Sequence, residues 1–121
     1  MRKNIGLAIL RIGTATLMLT HGIPKLSNLL SGNIEFADPI GIGATPSLIL
    51  VVVAEFVCPL LILIGYKTRW AAIPPIIAML VAVFFVHITD PFGKMEKALL
   101  FTLLFVTILI MGAGKYSIDR R

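Results

Sequence analysis

Five side chains stand out as capable of chemistry in an otherwise apolar sequence: Arg11, His21, Lys25, Glu55 and His87. Histidine exchanges protons near neutrality, because its unperturbed pKa is about 6.5. Lysine donates hydrogen bonds, and a carboxylate holds or releases a proton. His21, Lys25, Glu55 and His87 together offer what a quinone headgroup requires: donors for its oxygens and a carboxylate for the proton. They are the candidate cofactor-binding residues, with His21, Glu55 and His87 the candidates for proton chemistry. His21, His87 and Glu96 also have the composition of a metal triad. None shows the close helical spacing of an EXXH or HXXXH motif, so no metal is expected. The plainer alternative is that the histidines cap helix ends and meet interfacial water.

The elements that must position these groups are apolar segments. Arg11 and His21 lie within Ile5–Ile23, a stretch long enough to cross a bilayer as a helix, and Lys25 follows it. At a helical step of about 100°, Arg11, Thr14, Met18, His21 and Lys25 fall within an arc of about 80°. A lipid-facing ionisable group is costly, so this face should turn into a bundle. Three more apolar segments follow, at 47–65, 69–88 and 94–112. None alternates with period two, so a barrel is not expected. The expectation is an all-α membrane protein: one domain, an antiparallel four-transmembrane-helix bundle. Pro24 is expected to end or kink the first helix. Pro74 and Pro75 are placed in the first turns of the third, where missing N–H groups matter least. The connection from Lys25 to Pro46 is the one long loop, a candidate lid or binding loop.

Depth suggests a partner for Arg11. It lies about 9 Å, and Glu55 about 15 Å, above the same end of the bundle at ~1.5 Å per residue. A lone charge in hydrocarbon is unfavourable, so a structural ion pair between Arg11 and Glu55 is expected. Met18, Phe84 and Phe85 could line a lipid or quinone slot, or simply pack. Ala78 and Ala82 form a small-xxx-small pair suited to close helix approach.

Composition agrees with a membrane protein. Of 121 residues, 58% are hydrophobic and only 14% charged, against about a quarter charged in soluble domains. The net charge of +5 does not indicate nucleic acid, since the cations are spread over separate segments. Arg2, Lys3, Lys67, Arg69, Lys115, Arg120 and Arg121 fall on the side of the termini, and Lys25, Lys94 and Lys97 on the other. That bias places both termini in the cytoplasm of a bacterial inner membrane. Tyr66, Trp70 and Tyr116 fall on the same side as an interfacial belt. The N-terminus mimics a signal peptide, but Arg11 interrupts its apolar region and no A-x-A site follows, so it is read as a retained span. The single cysteine, Cys58, is a packing residue and excludes a dithiol relay within the chain.

Three blocks of residues resemble the DoxX family of small four-helix membrane proteins. The first is Arg11, Gly13, His21, Gly22, Lys25 and Leu26. The second is Glu55, Leu63, Gly65, Thr68 and Arg69, followed by Ala71 and Met79. The third is GAGKYSID, Gly112 to Asp119. The resemblance implies a membrane subunit of a redox complex, since family members are associated with a quinol oxidase and with thiosulfate:quinone oxidoreductase. Quinone would then be the cofactor, a soluble or membrane redox protein the partner, and membrane lipid the surroundings. No haem or flavin signature is present. Two other classes remain open. One is a non-catalytic scaffold or anchor for a partner enzyme. The other is a small transporter or lipid-handling protein, which would need a through-path and hence a homo-oligomer.

Overall fold

A computed structural model describes residues 1–32, 41–86 and 91–120. The described residues are helical with turns and contain no strand. Helix α1 is Arg2–Ser31. Helix α2 is Ala44–Ile64, built as Ala44–Val52, a π-helical turn Val53–Val57 and Cys58–Ile64. Helix α3 is Thr68–Val81, continued by a second π turn, Ala82–Val86. Helix α4 is Phe92–Met111. The first three have the length and apolarity of membrane spans. The fourth is as long, 20 residues, with Lys94, Glu96 and Lys97 near its start and no charge from Ala98 to Met111.

Each helix packs on its neighbours in sequence, and α4 closes the ring against α1. Cross-contacts fix the directions. Arg11 meets Ile62 and Leu63, while Lys25 meets Glu55, so α1 and α2 run antiparallel. Leu7 lies against Gly114 and His21 against Phe101, so α1 and α4 do too. The expected all-α, antiparallel four-helix membrane bundle is therefore the fold. Its core is Met18, Ile62, Phe105 and Ile108, all fully buried. Ala15 and Ala72, equally buried, let helices approach closely. Ile9, Leu17, Phe84, Leu103 and Ile110 face outward and are more than half exposed. Such a sheath suits hydrocarbon rather than water.

The prolines behave differently from expectation. Helix α1 passes through Pro24 and ends at Ser31, where Gly32 takes the left-handed conformation. A proline inside a helix removes one hydrogen bond, and membrane helices tolerate this. The segment beginning at Lys25 is thus the last two turns of α1, not the start of a loop. Pro74 and Pro75 are likewise interior to α3, beyond its first turn, and Pro75 is fully buried. Pro59 has no N–H for the Glu55 carbonyl four residues earlier. The ladder there widens to a π turn, in which Cys58 donates to Val53.

Candidate functional site: two polar centres

Arg11 does not pair with Glu55. Its Nη1 donates to the Ile62 and Leu63 carbonyls at 3.1 and 2.5 Å, and its Nη2 to the Tyr116 carbonyl at 2.7 Å. Both Ile62 and Leu63 carbonyls belong to the last turn of α2, whose dipole favours a cation, and the Ile62 carbonyl also accepts the Gly65 N–H at 3.0 Å. The guanidinium fork donates to three carbonyl acceptors at once. Arg11 is only 2% exposed, so the fork is a buried clasp. Its Nε has no acceptor among the described residues.

The tail completes the clasp. Gly65 takes a left-handed φ of 74° and ends α2, with Tyr66 N–H donating to the Leu61 carbonyl at 2.9 Å. Ile118 and Asp119 N–H groups donate to the Ile64 and Gly65 carbonyls at 3.2 and 2.8 Å. The Asp119 carboxylate accepts from the Lys67 and Thr68 N–H groups, each at 2.8 Å, and so caps α3. A Cβ on Gly65 would collide with the Ser117 Cβ. The GAGKYSID block is thus a structural latch over the α2–α3 connection.

The second centre surrounds a cavity of about 160 Å³. Its polar lining is His21, Lys25, Glu55 and Lys97, and its apolar walls include Met18, Met79 and Phe101. Lys25 Nζ pairs with Glu55 Oε2 at 2.5 Å; the carboxylate side chain is 4% exposed and the lysine 32%. The His21 ring stands edge-on to Phe101, with centroids 5.7 Å apart. Glu55 rides on the π turn of α2, and Ala82, which also lines the cavity, opens the π turn of α3. Interruptions of this kind recur at functional sites. Gly22 permits the arrangement: a Cβ there would strike the Glu55 carbonyl, so α1 and α2 touch backbone to backbone beside the cavity.

Of the residues expected at the site, the structure brings together His21, Lys25 and Glu55. His87 lies outside the described residues. Met18 lines the cavity, but Phe84 and Phe85 point outward, 59% and 64% exposed. Ala78 and Ala82 both pack against the core, Ala78 beside an apolar groove between α2 and α3 and Ala82 at the cavity. Met79 and Phe101 carry no polar signal that could have marked them in the sequence. Lys97 was legible as a charge that begins the fourth helix at the same mouth as His21, though not as part of the quinone site.

The model of the DoxX family matches residues 6–88. That range holds the first two blocks of resemblance; the tail latch lies beyond it. A protein of Haemophilus influenzae named only "Uncharacterized protein" is 32% identical over 123 aligned residues, covering 95% of this chain and 89% of its own length. No solved structure matches.

Proposed function

This chain belongs to the DoxX family, and from that premise we propose that it is a quinone-linked membrane subunit of a redox complex in a bacterial inner membrane, with both termini cytoplasmic. The observation that carries the proposal is a buried carboxylate, Glu55, paired with Lys25 at the wall of a cavity. At about 160 Å³ the cavity is smaller than whole-ligand pockets, which run from about 300 Å³. It therefore suits one ring, with an isoprenoid tail left among the outward-facing apolar side chains.

In this reading His21 and Lys25 hydrogen-bond the quinone oxygens. Electrons come from a partner redox protein, two per quinone, and two protons complete the quinol. Glu55 passes protons to the ring, and Lys25 holds the carboxylate in place between transfers. Phe101 fixes the His21 ring through its edge-on contact. Membrane lipid surrounds the bundle.

The test is binding of short-chain ubiquinone and menaquinone analogues to protein purified in mild detergent. Wild type should bind one of them saturably. Glu55→Gln and His21→Gln, which keep hydrogen bonding but cannot titrate in the same way, should retain binding and lose quinone reduction driven by the partner redox protein. If wild type binds neither analogue and retains no native quinone on extraction, the quinone-linked reading falls, which leaves the scaffold and the transporter or lipid-handling classes.

A further inference from the structure

We propose that a second site, at the end of the bundle carrying the termini, binds the phosphate-bearing headgroup of an anionic phospholipid. A pocket of about 450 Å³ lies there between the start of α1, the end of α4 and the tail. Lys3, Lys115 and Arg120 line it together with Leu7 and Met111, and no acidic residue does. Lys3 comes from the start of α1 and Lys115 and Arg120 from the tail, and among the described residues none has a salt-bridge partner. The neighbouring acid, Asp119, points its carboxylate at the start of α3.

The walls are built rather than incidental. The Lys115 N–H donates to Asn4 Oδ1 at 3.3 Å, tying the tail to α1. Gly114, at φ 86°, sits so close to Leu7 that a Cβ there would approach the Leu7 Cβ to 3.0 Å. The Arg120 N–H donates to Ser117 Oγ at 3.0 Å, within the turn that presents its side chain. The charge asks for an anion, and Leu7 and Met111 favour one that arrives with hydrocarbon attached. Met111 is 40% exposed and Ile5 45%, so apolar surface continues past the cations. This is the composition of headgroup pockets at membrane boundaries.

The test follows thermal unfolding of the full chain in neutral detergent while phosphatidylglycerol, phosphatidylcholine or inorganic phosphate is added. Phosphatidylglycerol should raise the midpoint saturably, and the other two should not. In Lys3→Gln/Lys115→Gln/Arg120→Gln, apparent affinity for phosphatidylglycerol should fall roughly fivefold per cation, about a hundredfold in all. Arg2→Gln/Lys67→Gln/Arg69→Gln removes the same charge from the same end, outside the pocket, and should bind as wild type does. Native mass spectrometry should show a retained anionic lipid in wild type and in this control only. Equal losses in the two triple variants would mean diffuse surface charge and overturn the site. A shift produced by inorganic phosphate alone would overturn the assignment to lipid.

Discussion

Gly22 and Glu55 touch through their backbones: the place where a Cβ on Gly22 would stand is already taken by the Glu55 carbonyl. Gly22→Ala should therefore push α1 from α2 and pull Lys25 off its carboxylate. Overpacking of this kind costs about 1–3 kcal/mol. Gly13 has open space around it, so Gly13→Ala should be neutral or stabilising by up to about 1 kcal/mol. Thermal midpoints in one detergent check both; equal losses would mean that the contact does not constrain the helices.

Arg11 and Glu55 act in separate centres, eleven residues of α1 apart by way of Gly22, or about 16 Å along the axis. Arg11→Ala strips donors from three carbonyls and should cost about 3 kcal/mol or more. Combined with Glu55→Ala, the losses should add within about 0.5 kcal/mol. A double variant much milder than the sum would restore a direct pair.

Lys25 and Glu55 should couple instead. Lys25→Met leaves a buried carboxylate without its cation, at a loss of about 1–3 kcal/mol given that the lysine is partly exposed. A double-mutant cycle with Glu55→Gln should return a coupling of about 1–2 kcal/mol. Simple additivity here would mean that the two groups do not share the cavity.

Asp119→Ala removes the cap of α3, worth about 1 kcal/mol. It also frees the tail that carries the Tyr116 carbonyl, so its loss should overlap with that of Arg11→Ala rather than add to it. Hydrogen exchange at Lys67 and Thr68 should quicken in the variant. Unchanged exchange would show that the carboxylate is not their acceptor.

The topology is open to a reporter that is active only outside the cytoplasm. Fused after Arg121 it should be silent, and inserted within residues 33–38 it should be active. The reverse pattern would invert the protein in the membrane and carry the anionic-lipid pocket to the other leaflet.

The bundle was legible because four apolar segments are long enough to span and lack period-two alternation. His21 and Lys25 could be placed at one mouth of the bundle because helix direction alone brings them there, and Glu55 was legible as a carboxylate lying deeper on the neighbouring helix. The partners of Arg11 were not legible, because a guanidinium can be satisfied by carbonyls as well as by an opposite charge. A helix end offers unsatisfied carbonyls that serve as well, and nothing in local sequence announces which end will lie alongside. Pro24 does not end the helix, since the cost of a proline there is set by the surroundings. Phe101 and Met79 look like any core residues, and only the packed helices show that they wall a cavity. The widened turn at Val53–Val57 had one sign in the sequence, the imino nitrogen of Pro59.

That turn makes α2 a helix with a register. Its two halves, Ala44–Val52 and Cys58–Ile64, are joined by one residue more than a regular ladder would hold. Deleting a single residue from Val53–Val57 would leave an uninterrupted span of nearly the same length and apolarity. Because the wide turn absorbs the extra residue, each half would keep the face it now buries, with Leu48 in one and Ile62 in the other. What would go is the wide turn itself, and with it the backbone that carries Glu55 at the cavity wall. The chain would insert and pack much as before, with the irregularity beside the carboxylate ironed out.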